Sequence, residues 1–331
     1  MTVTVVVGGQ YGDEGKGKII SYLALHDEPD VIARGGGGPN AGHSVEYRGK
    51  KYKIRLTPSG FINKNAKLVI GAGVMIDADV FLKEVENFEL GKRCKIDRRA
   101  TLIEQKHKEM DSSSELSKKI GTTKSGMGPV TAARAKREAK FVEEEEKLRE
   151  YLCDGVEIVN NAKNLLVEGS QGFMLSNIYG TYPYCTSKDI SASTICAEIG
   201  LGPLKVDNVI MVIKAYTTRV GEGPFKGEVS VEEAEKVNMQ EYGTVTGRPR
   251  RTNPNLIWEE LKLAAKVNSA NYIALTKLDI KFPEAAGMRD YKELPEEAKK
   301  FVEEVEKKLG VKVGLVGTGP ETEDVIDRRG E

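Results

Sequence analysis

The sequence predicts an α/β fold with a mostly parallel central sheet flanked by helices, in one domain spanning residues 1–331 with loop and helical excursions. Three observations predict it. Short β-branched runs alternate with stretches of helical period. Glycine clusters stand directly after those runs, where an open parallel sheet binds its ligands. The chain is 331 residues long, 39% hydrophobic and 30% charged, with neither an internal repeat nor a low-complexity linker, so one large core is within reach.

The elements follow in order. Residues 2–7 (TVTVVV) form a β-branched run that ends in Gly8-Gly9 and reads as a buried strand. A glycine-rich loop leads into a helix over 19–25. A second strand at 30–33 runs into Arg34 and four glycines. Residues 67–70 suggest another strand, and Asp77 or Asp79 can cap a helix carrying 80–85. Residues 131–151 read as a charged surface helix. Strands are expected at 165–168, at the strongly apolar 208–215, at 272–275 and at 311–316. Helices are expected at 255–267 and 295–309.

Lys plus Arg and Asp plus Glu each number 50, so the net charge is zero. That balance argues against a general nucleic-acid or membrane surface and leaves room for a local basic pocket. The four cysteines, Cys94, Cys153, Cys185 and Cys196, form no CxxC pair and read as free thiols. The amino-terminal apolar run is too short for a signal peptide or a spanning helix. A cytoplasmic protein is the expectation.

Four stretches carry chemistry. Gly12-Asp-Glu-Gly-Lys-Gly-Lys18 fits G-x-x-x-x-G-K, with Ile19 where a P-loop has Ser or Thr. Its backbone N–H groups and the following helix terminus suit phosphate, Lys16 or Lys18 supplies a mobile charge, and Asp13 can replace the missing hydroxyl as a metal ligand. Gly35-Gly-Gly-Gly-Pro-Asn-Ala-Gly-His43 follows the second strand. Of the three histidines, only His43 sits in a glycine-rich loop, where its ordinary pKa suits a proton donor. His26 and His107 read as surface residues in charged stretches. Thr276-Lys-Leu-Asp279 stands at a strand end and is similar to the guanine-reading motif of GTPases. A carboxylate there accepts two hydrogen bonds from the guanine edge, a geometry adenine cannot match. Gly243-Thr-Val-Thr-Gly-Arg-Pro-Arg-Arg251 is an anion clamp. On these residues alone a ligase, a GTP-binding switch and another nucleotide-dependent kinase all stay open.

Further loops rich in glycine and small polar groups suggest a second phosphorylated substrate. Taken in order, the stretches resemble the adenylosuccinate synthetase family. The likeness is carried by Gln10-Tyr-Gly-Asp-Glu-Gly-Lys-Gly-Lys18, Asn40-Ala-Gly-His43, Ile120-Gly-Thr-Thr123, Glu168-Gly-Ser-Gln-Gly172 and Gly180-Thr-Tyr-Pro-Tyr184. It continues in Gly200-Leu-Gly-Pro203, Lys214-Ala-Tyr-Thr-Thr-Arg-Val220, Thr276-Lys-Leu-Asp279 and Thr318-Gly-Pro320.

The resemblance implies a P-loop-like GTP-binding ligase fold. It implies that IMP, L-aspartate and GTP become adenylosuccinate, GDP and phosphate through a 6-phosphoryl-IMP intermediate, with Mg²⁺, in the first committed step from IMP to AMP. Residue by residue, Asp13 resembles the general base and, with the Gly42 carbonyl, a metal ligand. His43 resembles the general acid, and Lys16 and Gln171 complete the catalytic set. The implied GTP contacts are Gly12, Asp13, Glu14, Gly15, Lys16, Gly17 and Lys18, then Gly42, His43, Ser44 and Arg250. Lys277, Leu278, Asp279, Gly317, Thr318 and Gly319 complete them. The implied IMP contacts are Asp13 to Lys16, Asn40, Ala41, Gly42, His43, Thr123, Gln171, Thr186 and Arg248. Arg137 is implied to reach the IMP of the partner subunit in a homodimer. Thr244, Val245, Thr246, Gly247, Arg248, Pro249 and Arg250 resemble the aspartate loop. The chain is short for the family between Arg137 and Glu168 and between Asp279 and Gly317, and Pro249 and Lys124-Ser125 depart from its usual pattern.

Overall fold

Val3, Val5, Val6 and Val7 are at most 1% exposed, and burying each is worth roughly 1.5–3 kcal/mol. A strand apolar on both faces must lie inside a sheet covered on both sides, and this one does. The computed structural model describes residues 1–243 and 247–330. Among these, ten strands make the central sheet. In chain order they are β1 (Thr2–Gly8), β2 (Val31–Arg34), β3 (Lys67–Ile70), β4 (Cys94–Asp97) and β5 (Leu152–Cys153), then β6 (Asn164–Glu168), β7 (Asn208–Lys214), β8 (Tyr272–Thr276), β9 (Lys312–Gly317) and β10 (Val325–Asp327). Across the sheet they run β10-β9-β8-β7-β1-β6-β2-β3-β4-β5. Every pair is parallel except β9 with β10.

β1 lies between β7 and β6, with Val5 opposite Val209 on one side and Val167 on the other. Helices cover both faces. The helix Lys16–His26 packs Ile19 and Leu23 with Phe61 and Phe81 on one face, while Ile195, Leu261 and Val302 fill the other. The parallel register brings the ends of β1, β2, β6, β7, β8 and β9 to one edge. Every glycine-rich stretch singled out in the sequence after a strand leaves from that edge.

The expected strands and helices are present within a few residues, and Asp77 caps the helix Ala78–Asn87 by accepting from Val80 N at 3.4 Å. The stretch 131–151 differs. A helix spans Met127–Lys136 and stops at Arg137, whose φ is 68°; two 3-10 turns, Val142–Glu144 and Glu146–Tyr151, follow. The cause is packing. Val142 and Leu148 are both buried, a spacing that one straight helix cannot turn to the same side. The run of charges concealed these two anchors.

No helix among the described residues is long and apolar enough to cross a membrane.

Candidate active site

The glycine loop is folded around a buried carboxylate. Gly12 and Gly15 take φ of 97° and 86°, the left-handed region that side chains disfavour. Glu14 accepts the backbone N–H groups of Gln10 and Gly12 at 2.9 Å and pairs with Lys16 Nζ at 2.7 Å, with both side chains buried. A Cβ on Gly172 would come 2.2 Å from Gly12 N, so the stretch 168–172 backs the loop closely. Lys18 donates to the carbonyls of Gly319 and Asp324, the latter at 2.7 Å. Burial pulls its pKa down to about 8. The expected mobile ammonium is therefore corrected. Lys16 is neutralised inside the loop by Glu14, and Lys18 is tied to the far side of the loop, because both stems run through packed interior.

Asp13 faces two ways. Its Oδ2 accepts from Thr218 Oγ1 and lies 3.5 Å from Lys214 Nζ and 3.4 Å from Arg250 Nε. Its Oδ1 is buried with no hydrogen-bond partner. Asp13 lines a cavity of about 500 Å³ together with Gly42, His43, Thr123, Gln171 and Thr186. Gly12, Asn40, Ala41 and Arg250 also reach it. The segment 117–126 on one wall, the end of the helix Glu115–Ile120 and the loop after it, is pinned by Asp111, which accepts from Ser117 Oγ at 2.7 Å, Thr122 Oγ1 at 3.0 Å and Gly126 N at 2.9 Å.

His43 opens a hairpin, His43–Tyr47 with Lys50–Ile54. Its Nδ1 lies 2.6 Å from Glu168 Oε1, and its Nε2 lies 3.4 Å from Arg34 Nη2. Burial and the Arg34 charge pull its pKa down to about 4 against the pull of Glu168. Burial would raise Glu168, but His43, Arg34 and Ser59 hold it at about 2. The imidazole is thus neutral near pH 7, with Nδ1–H donating to Glu168. This corrects the expectation of an ordinary histidine pKa, because His43 is buried and Arg34 adds a positive charge. An arriving phosphate opposes both effects. His26 is exposed as expected. His107 is buried beneath the segment 117–126, where its Nδ1 accepts from Glu104 N at 3.1 Å, so its surface reading is corrected.

A second cluster gathers at the ends of β8 and β9. Thr276 Oγ1 donates to the Glu14 carbonyl at 2.6 Å, joining β8 to the glycine loop. Lys277 takes φ 60° and Leu278 is buried. Asp279 Oδ1 is buried without a partner, and burial raises that carboxyl against the nearby Lys277 and Lys18. Thr318 N donates to the Asp324 carbonyl at 2.9 Å. A Cβ on Gly319 would meet Asp324, and one on Gly317 would lie 3.4 Å from Lys18 Nζ. A Cβ on Gly17 would lie 3.1 Å from the Ser44 carbonyl.

Other expected contacts stand apart from the cavity wall. Arg137 is exposed at its helix end. Arg248 is exposed and donates to the Gly121 carbonyl at 3.2 Å. Gly247 and Pro249 are exposed too. Thr244, Val245 and Thr246 lie outside the described residues.

Among the described residues no group of three or more His, Cys, Asp or Glu side chains could hold a cation. The Asp13 carboxylate, one oxygen of which is unpartnered, nevertheless suits Mg²⁺, which takes few protein oxygens and completes its shell with phosphate and water, and Gly42 lines the same cavity.

A family model described as adenylosuccinate synthetase matches residues 5–144, 138–285 and 281–326. The chain belongs to the adenylosuccinate synthetase family. Curated adenylosuccinate synthetases agree over their whole length. One from Pyrococcus sp. is 52% identical over 99% of both chains, and one from Methanococcus maripaludis is 52% identical over 100% of both. The short length noted in the sequence is therefore shared with these family members. A solved adenylosuccinate synthetase from Plasmodium falciparum, described as fully ligated, superposes with a TM-score of 0.92 at 28% identity, covering 99% of this chain and 100% of that one. Within this family member, residues of the site that escaped assignment from sequence include Arg34, Glu168, Lys214, Thr218 and Glu241. Glu168, Lys214 and Thr218 stood inside motifs that carried the resemblance, Arg34 followed the strand expected at 30–33, and Glu241 had no signal beyond its place beside the anion clamp.

Proposed function

We propose that this chain joins IMP to L-aspartate at the expense of GTP, giving adenylosuccinate, GDP and phosphate, with the residues above in the following roles. Asp13 Oδ1 takes the N1 proton of IMP. The freed electron pair moves to the 6-oxygen, which attacks the γ-phosphorus as the bond to GDP breaks. His43, oriented by Glu168, presents its Nε2 edge to the transferring phosphoryl and acts as the acid once phosphate is beside it. The aspartate amine then attacks C6, the C6–O bond breaks as phosphate leaves, and the departing phosphate takes the proton that the amine loses. Asn40, Ala41, Thr123, Gln171, Thr186 and Arg248 hold IMP. Asp279 reads guanine, with Lys277, Leu278 and Gly317 to Gly319 around the base. Residues 244–250 hold aspartate. Mg²⁺ on Asp13 and Gly42 would neutralise charge on the transferring group. Lys16, through Glu14, keeps the loop in shape.

One observation carries this reading. A single loop, Gly12 to Lys18, has Asp13 in the cavity wall at one end and Lys18 on the Gly319 carbonyl at the other. It therefore spans an IMP site and a guanine site, and a γ-phosphate held on its N–H groups is delivered between them. The exposed Arg137 suits a contact to the IMP of a partner subunit in a homodimer. Free thiols in all four cysteines suit the cytoplasm.

The test is to mix protein, GTP, Mg²⁺ and IMP with and without L-aspartate and follow the ultraviolet shift of adenylosuccinate. The expected result is product only when all four are present. GTP hydrolysis without any aspartate-dependent product would refute the ligase reading in favour of a nucleotide switch.

A further inference from the structure

Glu241 lies outside every ligand loop named above, yet its carboxylate gathers three groups around Asp13. Its Oε1 accepts from Lys214 Nζ at 3.1 Å and from Tyr216 Oη, and its Oε2 accepts from Arg250 Nη1. Its carbonyl accepts from Arg250 N at 2.8 Å. Arg250 is thus fixed by one residue at both its main chain and its side chain. With Nη1 held by Glu241 and Nε 3.4 Å from Asp13, the plane of the guanidinium is set. Its Nη2 makes no hydrogen bond among the described residues, and Arg250 lines the cavity.

Lys214 is fully buried and shared in the same way, 3.1 Å from Glu241 and 3.5 Å from Asp13. Two cations therefore face two carboxylates. Remove Glu241, and among the described residues the only other carboxylate either cation contacts is Asp13. A buried cation without a counter-charge is costly, so both would close on Asp13.

We infer that Glu241 is a positioning residue for the ligation: it aims the free edge of Arg250 at an anionic ligand in the cavity and keeps Lys214 and Arg250 from closing on Asp13. The inference rests on the roles proposed above for Asp13 and Arg250. Glu241 itself does not line the cavity. It acts through the two cations, which distinguishes it from a residue that only holds the fold together.

The experiment compares wild type, Glu241→Gln, Glu241→Ala, Arg250→Ala and the Glu241→Ala/Arg250→Ala double variant, with each substrate varied in turn. Glu241→Gln keeps the shape of the side chain and decides the question if Glu241→Ala does not fold. The expected result for Glu241→Gln is a kcat lower by about 10²-fold, the scale of a misplaced reacting group. KM for aspartate and GTP should rise together by roughly tenfold, with KM for IMP unchanged. The aspartate KM of the double variant should match that of Arg250→Ala alone, because the two residues act as a unit. Wild-type kcat and KM values in a Glu241→Gln enzyme whose only change is a lower Tm would overturn the inference. So would additive effects on the aspartate KM. An unchanged aspartate KM in Arg250→Ala, or no ligation by wild type, would instead remove the reading beneath it.

Discussion

Asp13→Asn is expected to lose turnover while remaining folded. An amide cannot accept the N1 proton of IMP, and general-base catalysis alone is worth roughly 10²–10⁴-fold. The surroundings make the substitution worse than a simple deletion. The Oδ2 position receives the Thr218 hydroxyl and faces Lys214 and Arg250, so the amide oxygen must stay there and the NH₂ must turn to the Oδ1 position. A donor then points into the cavity where the substrate needs an acceptor, and a metal ligand is lost with it. Folding should survive, because the cluster sits at the sheet edge and Glu241 still matches part of the positive charge. The checks are kcat in the ligation assay, and near-ultraviolet circular dichroism with Tm for the fold. A well-folded variant with a wild-type rate would remove Asp13 from the base role.

Asp279→Asn is expected to transfer nucleotide preference from guanine to xanthine. The carboxylate can accept from both N1–H and the N2 amino group of guanine, whereas asparagine keeps one acceptor and gains a donor. Each hydrogen bond to a charged group is worth about 1.5–3 kcal/mol, so kcat/KM for GTP should fall by roughly 10–10²-fold. Xanthosine triphosphate carries an acceptor where guanine carries the amino group, so it should gain. The unpartnered, buried Oδ1 is the physical basis of this prediction, since a desolvated acceptor left unpaired penalises every base that cannot fill it. Unchanged discrimination among GTP, ATP and xanthosine triphosphate would place guanine recognition on other residues.

The parallel sheet was legible because strands buried on both faces are runs of β-branched and apolar residues, as in residues 3–7 of β1 and 209–213 of β7. The helix Glu296–Leu309 was equally legible, since Ala298, Val302 and Val305 form a buried stripe among charges. The glycine-rich loop at Gly12 to Lys18 and the stretch Thr276 to Asp279 stood out because each is a contiguous string of residues. Other features depend on contacts far apart in the chain. Nothing local to Glu168 says that it meets His43, and nothing near Glu241 says that it holds Lys214. The hairpin that starts at His43 was hidden because its turn, Arg48 and Gly49 with φ of 52° and 72°, pairs glycine with an arginine rather than an asparagine or aspartate. His107 misled because its neighbours are charged. The signal that could have placed it is Asp111, four residues on and therefore on the same helix face.

The proposed IMP and guanine sites meet at Asp13 and His43 across one glycine loop. The most direct measurement is a crystal structure of the protein with GDP, IMP and Mg²⁺. The predicted result has N1 of IMP within hydrogen-bond distance of Asp13 Oδ1, the guanine edge of GDP on Asp279, the β-phosphate at the N–H groups of residues 15–18, and Arg137 of the partner subunit on the IMP. A structure with IMP bound away from Asp13, or with both nucleotides competing for one pocket, would contradict it.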